Sequence, residues 1–151
     1  MDVEEAFGKI LNGVAVVTAD AKGKRNGMTA AWFTRVSLKP ALVMVAVGKS
    51  RFTHALIEEA ESFCLNILAE DQVDLAKRFG LASGRKTDKL AGLRTSKAAA
   101  GSPVLEGVAA YMDCRLIGRF PAGDHTLFVG EVVDSGSTGK LPLPCRAEDY
   151  N

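Results

Sequence analysis

A chain of 151 residues with 47% apolar side chains can bury a sizeable core, and residues 1–151 read as one domain. Lys plus Arg number 19 against 18 for Asp plus Glu, and the resulting net charge of +1 argues against a protein devoted to coating nucleic acid or an anionic membrane. Cys64, Cys114 and Cys145 are far apart and form no CxxC pair, which argues against a disulfide framework, and no apolar run approaches the about 18 residues of a membrane span.

In chain order, Met1-Asp2-Val3-Glu4-Glu5 is acidic and lacks an apolar signal core, so the expectation is a soluble cytoplasmic protein. Val3, Ala6, Phe7, Ile10 and Leu11 have helical spacing, ended by Gly13. The β-branched run from Gly13 to Ala19 predicts a strand. The charged stretch Asp20 to Gly27, with its Asn26-Gly27 step, predicts a hairpin or rim loop. Met28 to Leu38 is part strand and part irregular, Pro40 breaks it, and Ala41 to Val47 is a strongly apolar strand. Phe52, Ala55, Leu56 and Ala60 then mark one helical face, with His54 expected on the polar side.

Phe63 to Leu68 predicts a further strand, and Asp71 is positioned to cap a short helix through Phe79, closed by Gly80. Residues 81–103 predict a long irregular surface excursion. Val108 to Ile117 alternates, with Met112, Cys114 and Leu116 on one face; Cys114 reads most simply as a core residue. After the Pro121–Asp124 turn, the strand from His125 to Val133 is apolar on both faces and is expected to be covered on both sides. Leu141 to Arg146 is extended by its prolines. About six strands with short helices between them, without regular βα alternation or a GxGxxG fingerprint, predict a mainly β fold: a β-barrel with helical inserts.

Three stretches carry chemical possibilities. Gly48-Lys49-Ser50-Arg51-Phe52-Thr53 follows a strand and opens a helix, where unpaired N–H groups and the macrodipole favour an anion. Val43 stands where a Walker A loop needs glycine, so a triphosphate loop is excluded. A phosphate site and a plain helix start with exposed cations both remain open. Thr29-Ala30-Ala31-Trp32-Phe33-Thr34 offers small residues that let the backbone approach a flat ligand, or an ordinary buried strand with a core tryptophan. His125, in Gly123-Asp124-His125-Thr126, can serve a ligand or a hydride-transfer site, or be merely solvated. No metal-ligand spacing and no Ser/His/Asp set occurs.

Together, Asn26 to Ser37, Lys49 to Thr53, Phe63 to Leu68 and Gly123 to Val132 resemble, in that order, the flavin reductase-like family, over about Phe7 to Val133. Ser83-Gly84-Arg85 with Asp88-Lys89-Leu90 is similar to a branch that includes flavoredoxins and archaeal ferric reductases. The resemblance implies an FMN-binding split β-barrel, usually a homodimer, with FAD as an alternative flavin and NAD(P)H as co-substrate. Thr29, Ala30, Ala31, Trp32 and Phe33 match the block beside the isoalloxazine edge, and Lys49, Ser50, Arg51 and Thr53 match the phosphate block. Asn66 and Lys89 match further cofactor-binding positions, and His125 matches a histidine near the nicotinamide and flavin rings. Ala31 stands where many relatives carry serine, Leu90 where an aromatic is common, and the ending through Tyr150 departs from the usual tyrosine-containing one.

The function so implied is hydride transfer from NAD(P)H, with electrons passed to free flavin, ferric complexes or a redox partner protein. The alternatives are an electron carrier reduced by a protein partner and a non-redox flavin-binding module.

Overall fold

The computed structural model describes residues 2–145; the expected features at Arg146 and Tyr150 lie outside them. Asp2 caps α1 (Val3–Phe7) by accepting from the Glu5 amide at 3.2 Å. This helix stops four residues short of the expected Leu11, and among the described residues none of its side chains is buried.

β1 (Ala15–Ala21) and β2 (Lys24–Ala30) form the first hairpin, and its turn is Lys22-Gly23, both residues with positive φ. Asp20 Oδ1 accepts from the Gly23 amide at 2.8 Å and fixes that turn. The Asn26-Gly27 step therefore lies inside β2, opposite Ala19 and Thr18, and not in the turn. β3 (Phe33–Ser37) pairs with β4 (Leu42–Gly48), which leads into α2 (Phe52–Ala60). β5 (Ser62–Ile67) follows, then α3 (Val73–Leu81), whose N-cap is Gln72. Asp71 does not cap α3; it pairs with Lys140 at 3.5 Å. The excursion at 81–103 is partly regular. It leads through β6 (Thr95–Lys97) to β7 (Pro103–Leu105), a two-stranded ribbon with it, and buries Lys89 and Leu90.

The long β8 (Ala110–Ala122) and β9 (His125–Ser137) complete a seven-stranded antiparallel sheet in the order β2-β1-β5-β8-β9-β4-β3. The sheet curls around Val17, Met28, Val45, Leu65 and Phe128, with Leu56 and Ile57 of α2 added to the core. Its edge strands β2 and β3 are joined by Ala31-Trp32, so this is a mainly antiparallel split barrel with helical inserts, as expected. A second core, with Val16, Leu68, Phe79 and Leu90, lies under α3. β1 is thus covered on both faces, which is why it reads as an unbroken β-branched run. β9 is not covered on both sides: Thr126, Phe128 and Gly130 are buried and alternate with half-buried residues. Cys114 is buried with Met112 and Leu116 packed on the same core. His54 is not on a polar face; it is buried, its Nε2 2.7 Å from Thr126 Oγ1 and its ring against Phe128. Among the described residues no helix is long and apolar enough to cross a membrane.

Candidate functional site

β4 ends at Gly48, whose carbonyl accepts from the Arg51 amide at 3.1 Å, and Arg51 is the N-cap of α2. Among the described residues no side chain caps this helix start, an arrangement that suits its first-turn amides to an anion. The turn is tied to the β8–β9 hairpin: Gly48 pairs with His125, and the Lys49 amide donates to the Asp124 carbonyl at 2.9 Å. Facing it is the C-terminal end of α3 with the 80–85 turn. Between the two walls lies a cavity of about 280 Å³ lined by Asn26, Ser50, Arg51, Ser83, Arg85 and Lys89 among others.

Lys89 is only 3% exposed, yet it is well satisfied: Nζ donates to the carbonyls of Phe79 at 3.1 Å and Ala82 at 3.0 Å. Burial first, and the charge of Arg51 second, pull its pKa down to about 8. Asn26 Nδ2 donates to Thr53 Oγ1 at 2.9 Å, and the Gly84 backbone lies so close to the Asn26 amide that a Cβ there would stand 2.4 Å from it. Only glycine lets that turn close on the cavity floor.

A second cavity, of about 520 Å³, is lined by residues 28–32, Ala46, His125 and Phe7 among others. Arg51 and Gly80 line both cavities, so the two form one groove with a cationic end and an aromatic, small-residue end. The Thr29 hydroxyl donates to the Ala76 carbonyl at 2.6 Å, tying β2 to α3. Ala46 N donates to Trp32 O at 2.9 Å, and the half-exposed Trp32 ring stands 4.8 Å from the His125 ring at 42°. His125 Nδ1 lies 2.6 Å from Asp124 Oδ1, and this contact holds the Asp124 carboxyl below its ordinary range.

Of the residues singled out in the sequence, Thr29, Ala30, Ala31, Trp32, Ser50, Arg51, Lys89 and His125 line this groove. Four do not. Phe33, the first residue of β3, lines a separate apolar cavity with Val43 and Met112. Thr53 is fully buried behind Asn26. Asn66 is buried in the sheet, donating to Val16 O at 3.1 Å and accepting from the Leu105 amide at 2.9 Å. Lys49 is exposed beside Asp124. Asn26 and the Ser83-Gly84-Arg85 turn belong to the cavity wall but were not among the expected site residues. Asn26-Gly27 had the signature of a turn, whereas Ser83-Gly84-Arg85 was visible as a block of the resemblance.

Residues 7–143 match the flavin reductase like domain family, and the chain belongs to it. It is 40% identical over 127 residues to a flavin reductase of Pseudomonas putida, covering 83% of this chain and 73% of that protein. The reductase component of the flavin-dependent trigonelline monooxygenase of Acinetobacter baylyi is 36% identical over 139 residues, which span 91% of this chain and 44% of that one. The structure of an NADH:FAD oxidoreductase of Streptomyces globisporus superposes with a TM-score of 0.84 at 29% identity, covering 94% of this chain and 80% of that chain. The fold is that of the flavin-reductase class of oxidoreductases.

Proposed function

We propose that the groove binds FMN and that the protein is a reductase taking a hydride from NAD(P)H. The observation that carries this reading is the meeting of the two cavities at Arg51 and Gly80. It puts a cationic pocket at a helix N-terminus in line with a surface of small and aromatic residues, the shape a phosphate-bearing planar cofactor requires. Ser50, Arg51, Ser83 and Lys89 are the residues that would hold the phosphate, with Arg85 at the rim, and Thr29 to Trp32 those that would lie along the ring. Bound flavin supplies the capacity to accept a hydride and release electrons singly or in pairs.

The chain's own part is positioning. Asn26, fixed by Thr53, and Lys89, fixed by the α3 carbonyls, hold the polar end rigid. His125, steadied by Asp124 through Nδ1, leaves Nε2 as its remaining polar ring atom at the open end, where a nicotinamide would stack. Electrons would then pass to free flavin, ferric complexes or a partner protein; similarity to a monooxygenase reductase component supports a partner oxygenase. We read residues 1–151 as one such domain, working as a homodimer in the cytoplasm, where NAD(P)H is available.

Oxidation of NADH and NADPH, followed with added FMN, tests the reading. Flavin-dependent turnover with at least one nucleotide is expected. Failure with both overturns the reductase assignment, while a flavin spectrum in the purified protein would still uphold the binding site.

A further inference from the structure

Arg85 stands where the phosphate end of the groove meets solvent. The floor of that cavity is Asn26 and Lys89, each 3% exposed, whereas Arg85 at the rim is exposed. From the turn on the α3 side, its Nη1 donates to the Ser50 carbonyl at 2.8 Å, and its guanidinium lies over the Phe52 ring, 5.5 Å from the centroid. Ser50 and Phe52 belong to the opposite wall, so this one side chain spans the mouth. A planar fork that both donates to a carbonyl and stacks on an aromatic is held at two points, which lysine cannot reproduce.

We propose that Arg85 determines which flavin the site takes: it closes the groove after a single phosphate and so favours a flavin mononucleotide over a flavin dinucleotide. The inference rests on the flavin reading above. A terminal phosphate monoester fits between the α2 amides, Arg51 and Lys89 with Arg85 in place. A dinucleotide continues through a second phosphate into a nucleoside, and that continuation must pass where Arg85 crosses. It breaks the bond to Ser50 and the contact with Phe52, a cost the mononucleotide does not meet. A simple counterion at the rim would act differently, strengthening both flavins together.

The experiment is a titration of the wild-type protein, Arg85→Ala and Arg85→Lys with riboflavin, FMN and FAD, read by quenching of flavin fluorescence. Wild type is expected to bind FMN about tenfold or more tighter than FAD, and Arg85→Ala to bring the two constants within about threefold of each other. Arg85→Lys, which keeps the charge but not the fork, should resemble the alanine variant. Riboflavin binding by each variant reports that the ring end is still formed. Equal affinities for FMN and FAD in wild type, or a ratio that Arg85→Ala leaves unchanged, overturn the proposal. If wild type binds no flavin at all, riboflavin included, the flavin reading itself falls and this inference with it.

Discussion

Lys89 is charged and buried at once, and both properties matter to the groove. Its pKa, lowered to about 8, means that the ammonium is present at neutral pH and lost as pH rises through that value. The unfolded chain holds this proton up to the ordinary lysine value near 10.5, so between the two the unfolded state binds more protons, and Lys89's contribution to stability improves with rising pH. Phosphate binding runs the other way, because a bound anion favours the charged form. FMN affinity should therefore fall between about pH 7 and about pH 9 while riboflavin affinity holds, and Lys89→Met should flatten the difference. Parallel titrations with the two flavins check this. Arg51 lines the same cavity from the N-cap of α2. Arg51→Ala removes a charge-assisted contact worth about 1.5–3 kcal/mol, and the Kd for FMN should rise about 10- to 150-fold. An unchanged FMN affinity in that variant would place the phosphate elsewhere.

At the scale of elements, β2 is held between the barrel and α3, and Gly27 is where that sandwich is tightest. A Cβ at Gly27 would stand 2.9 Å from Val16 Cγ1 and 3.1 Å from the Phe79 ring. Both are fully buried, so neither side chain can move aside. Gly27→Ala should cost about 1–3 kcal/mol, visible in thermal unfolding as a Tm lower by several degrees. The same packing shows what the sequence could and could not reveal. Helical spacing located α2, an unbroken apolar run located β4, and alternation located β8. Asn26-Gly27 misled because its chemistry suits a tight turn, while seven residues of β1 needed partners and moved the turn to Lys22-Gly23. The buried state of His54 was hidden because its partner, Thr126, is 72 residues away. Among the site residues, the Thr29–Phe33 block is divided where β3 begins: Trp32, in the link, lines the groove, while Phe33 lines the separate apolar cavity. Asn66 is occupied by Val16, Thr18 and Leu105, contacts that only the folded sheet creates.

In the whole molecule, the split in the barrel and the site coincide. The sheet's two edges, β2 and β3, are consecutive in the chain, and the link between them, Ala31-Trp32, is a wall of the ring end. Among the described residues, the one backbone bond from this link to a neighbouring strand is Trp32 O accepting from Ala46 N. Across from it the β8–β9 hairpin delivers His125, and the register that pairs His125 with Gly48 sets its distance from the phosphate turn. The fold thus builds the cationic end of the groove around α2 and α3 and the aromatic, small-residue end around β2, β4 and β9. These ends should fail independently. His125→Ala removes the ring that packs 4.8 Å from Trp32, at the face where a nicotinamide must stack within about 3–3.5 Å for hydride transfer. Misplacement there should lower kcat/KM for NAD(P)H by about tenfold or more, with a much smaller change in FMN affinity. Stopped-flow reduction of the FMN-loaded protein, alongside an FMN titration of the same variant, separates the two. A His125→Ala protein that loses FMN as readily as Arg51→Ala but reduces normally once saturated would place His125 at the phosphate end instead.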